Sequence, residues 1–136
     1  MVDITTLTAA GQNHESGFPF QVEAISTADD VEVLKVSVED REELPIFIST
    51  SPEQILCIVY LFKQQEVQQE KLAAMNEAML ASNISMPLSS FAYIEDQYVV
   101  YGALSVKSSL EDVLHEIEVL SSNAIEAIEA LKDYLK

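Results

Sequence analysis

The sequence is poor in basic side chains, and this shortage excludes two classes of ligand. Only seven lysines and arginines occur among 136 residues, against 23 aspartates and glutamates, so the formal net charge is -16. Proteins that bind nucleic acid or anionic membranes need clustered basic side chains, and here the few that exist are scattered along the chain. We therefore predict no nucleic-acid ligand and no direct membrane insertion. We expect instead a protein partner with a basic or amphipathic segment.

Cysteine and glycine are also scarce, and each shortage removes a type of site. Cys57 is the only cysteine, so no intrachain disulfide can form, and a buried apolar role in a reducing cytosol is expected. The three glycines, Gly11, Gly17 and Gly102, are too far apart to form a phosphate-binding loop. The sequence therefore predicts no cofactor.

Long hydrophobic runs are missing as well. No apolar run approaches the roughly 20 residues that span a bilayer, and residues 1–10 contain no basic residue of the kind that begins a secretory signal. The chain is nevertheless 49% hydrophobic, whereas disordered acidic tails have little apolar content. We predict a folded cytoplasmic protein, with residues 1–17 as a flexible arm or short helix and residues 18–136 as a single α+β domain.

Alternation of apolar and polar residues predicts strands in the first half of the chain. The pattern covers residues 20–24, 31–38 and 44–48, with turns at 26–30 and 39–43. The uninterrupted apolar run at 55–62 is typical of a central strand buried on both faces. Ser51 and Pro52 before it are also favourable at a helix start, so a short buried helix over 52–62 remains the alternative.

The second half combines two helices with a hairpin. Apolar spacing predicts a central helix over about 66–82, and alternation around Asp96 predicts a hairpin over 90–106. Gly102 inside this hairpin indicates a bulge or the close approach of another backbone. Ser108 and Glu111 resemble a capping box that begins a long C-terminal helix, about 109–135. Together these elements predict an α+β fold, in which an antiparallel sheet of about five to six strands packs with the two helices.

One side of the C-terminal helix carries a seven-residue apolar repeat. Such a stripe either faces the core of a small domain or forms the seam of a homodimer, and we favour the core. Because the helix is long, a homodimer stays open. The residues of this dimer or core stripe are Leu114, Ile117, Ala124, Ile128 and Leu131.

Methionine and aliphatic residues on the central helix and its exit loop form a candidate partner-binding surface. Methionine can repack around varied apolar partners, although core filling is the commoner use of such residues. We expect a groove with an acidic rim that receives an amphipathic or extended segment with basic flanks. The candidate residues are Met75, Met79, Ile84, Met86 and Leu88.

Residues that could support catalysis or metal binding are few. His115 has Glu111 and Glu118 on the same helical face, which resembles a weak metal site, but an exposed histidine beside acids explains the pattern better. No serine lies in a nucleophile motif, and caps and turns account for the serines. We predict no catalytic residue, no metal site and no cofactor site.

Four segments resemble the YjfI-like family of uncharacterised bacterial proteins, a likeness that covers about residues 18–136. They are 43–48 (ELPIFI), 86–91 (MPLSSF), 98–105 (YVVYGALS) and 115–120 (HEIEVL). The resemblance brings no functional motif. It implies a bacterial cytosolic protein and, because some members are encoded near PspA-type membrane-stress proteins, a PspA-like coiled coil as partner. The element order is similar to the two-layer fold of type III secretion chaperones, which are typically acidic homodimers.

Three functions follow, in order of preference. The first is a non-enzymatic, chaperone- or adaptor-like protein-binding module linked to a PspA-type system. The second is an acidic decoy that imitates the phosphate pattern of DNA and occupies a nucleic-acid-binding protein. An uncharacterised enzyme is third, and a deep pocket lined by His115 or clustered carboxylates would favour it.

Overall fold

A computed structural model of the chain describes residues 3–12, 19–25 and 33–136. The strands of this part form an antiparallel six-stranded sheet in the order β1-β2-β3-β4-β6-β5, which with the helices confirms the predicted α+β class. Along the chain the elements are α1 (Ile4–Gln12), β1 (Phe20–Ile25), β2 (Val33–Val38), β3 (Ile46–Thr50), β4 (Ile55–Lys63), α2 (Leu72–Ser82), β5 (Ser90–Ile94), β6 (Gln97–Leu104) and α3 (Leu110–Leu131).

The first residues contain a helix. The Asp3 carboxylate accepts hydrogen bonds from the backbone N–H and the hydroxyl of Thr6, both at 2.9 Å, and so caps the start of α1. These bonds lower the pKa of Asp3. Leu7 of α1 is buried in the main core beside Phe20 of β1. Residues 1–17 were expected to form a flexible arm or a short helix, and the structure has a helix at Ile4–Gln12. Residues 13–17 lie outside the described part of the chain.

The apolar run at 55–62 is a strand, as predicted, but it is not buried on both faces. Ile55–Lys63 is the strand β4, so the alternative helix does not form, and Ser51 instead accepts hydrogen bonds from the backbone of Glu53 and Gln54 in the turn before the strand. Along β4, Ile55, Cys57, Val59 and Phe62 are buried, while Leu56 and Ile58 are half-buried and Tyr60 is 38% exposed. The predicted burial on both faces was wrong because the described helices cover only one side of the sheet.

The two core clusters show which side is covered. The main cluster joins α1 and α3 to the inward residues of β1 to β4 and β6, and the second joins α2 and the end of α3 to Phe62 and Tyr98. Side chains alternate along a strand, so the remaining residues point away from the helices. We call this opposite side the open face. Its central residues are Phe47, Leu56, Ile58, Tyr60 and Tyr101, together with Val99, which is 0% exposed.

The central helix begins later than the predicted residue 66. Residues 64–71 form two 3-10 turns, Gln64–Glu66 and Gln69–Lys71, and the α-helix begins at Leu72. The C-terminal residues 134–136 pair with this segment: Gln68 N–H donates to Tyr134 O at 2.8 Å and Lys136 N–H donates to Glu66 O at 2.9 Å. This pairing uses the backbone oxygen of Glu66, which a helix beginning at residue 66 would need for its hydrogen bond to residue 70.

The predicted hairpin forms β5 and β6. Glu95 and Asp96 connect the strands with φ angles of 44° and 66°, the left-handed geometry of tight two-residue hairpin turns. β6 lies between β4 and β5, so the hairpin supplies one inner strand and one edge strand.

The long C-terminal helix is present, but its capping box lies one residue beyond the predicted pair. Ser109 Oγ accepts from Asp112 N–H and the Asp112 carboxylate accepts from Ser109 N–H, both at 3.1 Å. The α-helix ends at Leu131 and a 3-10 turn follows at Lys132–Tyr134, so it stops short of the predicted residue 135. None of the described helices has the length and apolar character needed to cross a bilayer.

The stripe of α3 faces its own sheet. Ile117, Ala124 and Leu131 are buried, as the core interpretation predicted, whereas Leu114 and Ile128 are half-buried at its margin. The buried surface is centred on other residues that the seven-residue repeat missed. They are Val113, Glu116, Leu120, Asn123 and Ala127, and Ser121, the one polar position of the repeat, is buried as well.

Candidate partner-binding site

The predicted Met-rich surface is divided by α2 between the interior and the solvent. Met75 and Met79 are 0% and 4% exposed and belong to the second core cluster, together with Phe62, Tyr98 and Leu131. Both methionines therefore fill the core and are not available on the surface, which corrects their place in the candidate groove.

Three large aliphatic side chains on the other side of α2 and its exit loop are exposed. Leu80, Ile84 and Leu88 are 70%, 94% and 58% exposed, and we call them the α2-exit patch. Leu80 and Ile84 are four residues apart where helical turns continue past Ser82, so they lie on the same side of the chain. Exposed aliphatic side chains that lie close together are a common mark of an interaction surface.

The exit loop that carries this patch is held by side-chain amides. Asn123 of α3 donates through Nδ2 to Pro87 O at 2.9 Å and to Ser89 Oγ at 3.0 Å. Asn83 accepts from Phe91 N–H at 2.7 Å and so occupies a backbone group of the edge strand β5. The loop is therefore attached at both ends, and Asn83 partly blocks that edge against another strand.

Leu88 lies in this anchored loop with a φ of 62°, in the left-handed region of backbone conformation. A branched non-glycine residue pays roughly 1–2 kcal/mol there, and such residues are often found at ligand clamps and active sites. The hydrogen bonds to Pro87 and Ser89 on either side maintain this conformation. Leu88 is thus presented to solvent by a constrained backbone.

A cleft of about 250 Å³ adjoins the exit loop, between the loop and α3. Met86 and Phe91 line one side, and Ala127 and Ala130 of α3 line the other, so much of the wall is apolar. Exposed carboxylates border this region: Glu126 lines the cleft, and Glu77 is one helical turn from Leu80 on α2. Of the five candidate residues, Met86 lines this cleft, Ile84 and Leu88 are exposed outside its lining, and Met75 and Met79 are in the core.

Comparisons with known proteins agree with this description. The model of a family described as "Uncharacterized protein conserved in bacteria (DUF2170)" matches residues 3–135. The chain belongs to the DUF2170 family. The uncharacterized protein YjfI of Escherichia coli K12 is 31% identical over 114 residues, which are 81% of this chain and 84% of YjfI. The expected resemblance to YjfI-like proteins is therefore confirmed.

Two solved structures share the fold of this DUF2170 protein at low sequence identity. One chain of the heterodimeric ExoU-SpcU complex from the type III secretion system of Pseudomonas aeruginosa aligns with a TM-score of 0.52 at 13% identity, over 85% of this chain and 83% of that one. YbjN from E. coli aligns with a TM-score of 0.58 at 18% identity, over 96% and 94%. The predicted likeness to a fold found in type III secretion is confirmed for the fold.

A buried carboxyl group lies behind the exit loop of the DUF2170 protein. Glu116 of α3 is 3% exposed, and its Oε1 makes no hydrogen bond within the part of the chain that the structure describes. Burial raises the pKa of this group to about 7. In the sequence Glu116 resembles an ordinary solvated helix residue. The only signal of burial is its position on α3, on the same side of the helix as the apolar Ile117.

Gly102 of β6 provides the space for this carboxyl. A Cβ added to Gly102 would overlap Oε1 of Glu116 and would lie 3.1 Å from the backbone oxygen of Leu88. The predicted close approach at Gly102 is therefore confirmed, and a side chain makes the closest contact. The strand irregularity lies elsewhere, between Tyr60 and Phe62 of β4.

We expect Gly102→Ala to lower the free energy of unfolding by about 1–3 kcal/mol, because the added methyl group overpacks the site. Combining it with Glu116→Ala should recover about 0.5 kcal/mol or more relative to the sum of the two single changes, since the overlapping carboxyl is then absent. Urea denaturation of the four proteins of this double-mutant cycle measures the coupling. Strict additivity would show that Gly102 and Glu116 do not share the space.

The remaining polar candidates have structural positions. Cys57 is fully buried, and burial, followed by the nearby Glu116, raises the pKa of its thiol to about 12. His115 is exposed, and within the described ranges no group of three or more His, Cys, Asp or Glu side chains could hold a metal ion. Ser109 caps α3 and Ser51 closes a turn, as expected for serines in this sequence.

Proposed function

We propose that this DUF2170 protein is a non-enzymatic, cytosolic, chaperone- or adaptor-like module that binds a protein segment at the α2-exit patch. The observation that carries the proposal is the exposure of Leu80 near the end of α2 and of Ile84 and Leu88 in the anchored loop that follows, next to an apolar cleft. Burying each of these side chains against a partner would contribute about 1.5–3 kcal/mol before the costs of association. The likeness to a chain of a heterodimeric secretion complex supports a protein as the ligand.

The partner segment should be amphipathic and carry basic residues. Its apolar side would cover the α2-exit patch, and its lysines or arginines would face carboxylates such as Glu77 and Glu126. The net charge of -16 would increase the rate of association with such a segment, and salt would reduce that rate. The resemblance to YjfI-like proteins makes a PspA-type coiled coil the first partner to test.

The test is titration calorimetry with a purified PspA-type coiled-coil protein from the same bacterium. We expect the double variant Leu80→Ser, Ile84→Ser to bind at least about tenfold more weakly than the natural protein, a loss of about 1.4 kcal/mol or more. Ile125→Ser is the matched control, because Ile125 is an aliphatic residue on α3 that is 37% exposed and does not line the cleft. Raising the salt from about 0.05 M to about 0.5 M should weaken binding further.

Two results would contradict the proposal at different levels. If the natural protein does not bind the coiled coil, that partner is rejected. The natural protein and the double variant can then each be immobilised and exposed to a bacterial lysate. If the natural protein retains no lysate protein more strongly than the double variant does, the α2-exit patch is not a binding site. Displacement of a captured protein by duplex DNA would instead favour the DNA-mimic alternative.

A further inference from the structure

The acidic residues of this protein avoid most of the sheet. None of the five strands from β2 to β6 contains an aspartate or glutamate, although the chain has 23 of them. The acids lie in α3, in turns such as residues 39–43 and at Glu95 and Asp96. The open face is therefore a nearly neutral surface on a molecule of net charge -16.

The open face is also apolar. Phe47, Ile58 and Tyr101 are half-buried, Tyr60 is 38% exposed, and none of them belongs to either core cluster. The rings of Phe47 and Tyr60 meet edge to face with centroids 5.8 Å apart, so these side chains form a continuous surface across β3 and β4. Two such sheet faces can pack together at a spacing of about 10 Å.

Charge indicates which molecule could cover this face. A partner rich in basic residues would be attracted to the acidic turns and helices. The neutral strands of the open face would not attract such a partner electrostatically. A second copy of the chain carries the same charge of -16, so it is repelled from every acidic surface and can approach closely only through a surface without acids. A twofold interface brings identical patches together, and a neutral apolar patch is complementary to itself.

We propose that two copies of this chain form a twofold symmetric homodimer through their open faces. Glu23 of the edge strand β1 is the one acid on the strands of the open face. It lies directly opposite Lys35 of β2 on the same face, which supports a dimer through this face. The cross-strand neighbour balances that one acid. This interface differs from the helical seam considered for α3, whose stripe packs in the core, and it does not depend on the proposed partner.

Sedimentation equilibrium of the natural protein tests the proposal. We expect a species of about 30 kDa, twice the 15.1 kDa of one chain. Dimerisation should strengthen as salt rises from about 0.05 M to about 0.5 M, because salt screens the repulsion between the two acidic chains. A monomer at every concentration and salt condition would overturn the inference, and so would a dimer that dissociates as salt rises.

Substitutions then locate the interface. Tyr60→Glu and Ile58→Glu, made separately, place an acid on the open face and should raise the dimer dissociation constant at least about tenfold. Leu80→Glu is the control, because it adds the same charge to the α2-exit patch and should leave the dimer unchanged. Circular dichroism confirms that each variant is folded. A dimer that resists both open-face variants, or one that only Leu80→Glu disrupts, would refute this interface.

Discussion

Raising the pH from about 5 to about 8 should lower the free energy of unfolding by about 2.5 kcal/mol through Glu116 alone. Burial raises the pKa of this group from 4.5 to about 7 in the folded protein. Between these two values the folded chain keeps a proton that the unfolded chain has released, so stability falls as pH rises through this window. Above about pH 8 the folded protein contains an ionised carboxylate with an unpaired oxygen, and the loss is complete.

Urea denaturation at a series of pH values measures this dependence. Glu116→Gln cannot ionise, so its stability should change less between about pH 5 and about pH 8 than that of the natural protein, by the same roughly 2.5 kcal/mol. The exposed Glu118 is two residues away on α3, and Glu118→Gln is the control that removes one charge without removing the buried group. General repulsion among the acids affects both variants alike. Parallel pH profiles for the Glu116 and Glu118 variants would contradict the assignment.

Local patterns predicted the strands and hairpins well because their signals are contained within a few residues. Alternation over residues 20–24, 33–38 and 44–48 and the tight turn at Glu95 and Asp96 need no knowledge of distant segments, whereas the turn predicted at 26–30 lies outside the described residues. The start of α2 could not be predicted in this way. It depends on backbone hydrogen bonds between residues 66–68 and 134–136, which are far apart in the sequence.

The candidate site could be predicted only in part, because it too depends on contacts between distant segments. Methionine and aliphatic content identified the correct region, but α2 has no strong apolar side, so the sequence could not show that Met75 and Met79 turn inward while Leu80 turns outward. Asn123 was overlooked because its role depends on reaching the backbone of Pro87 across the fold. The left-handed backbone conformation of Leu88 is likewise set by these contacts. It could not be predicted from the sequence, because leucine does not favour that conformation.

The phase of α3 predicts a difference between two of its stripe residues. Ile117 is fully buried and contacts the main core, whereas Leu114 is half-buried at its margin. We expect Ile117→Ala to lower the free energy of unfolding by about 3–4 kcal/mol, because it removes buried surface and leaves a cavity. Leu114→Ala should cost about 1–2 kcal/mol, since part of its side chain already contacts water.

Chemical denaturation of the two alanine variants decides whether the α3 stripe packs in the core or forms the seam of a helical homodimer. In a seam that is symmetric about the seven-residue repeat, Leu114 and Ile117 have equal weight, so the two losses of unfolding free energy are equal. Core packing against the sheet gives unequal losses, and the difference between them stays the same at every protein concentration. Equal losses would contradict the core packing of Ile117 and would favour the seam.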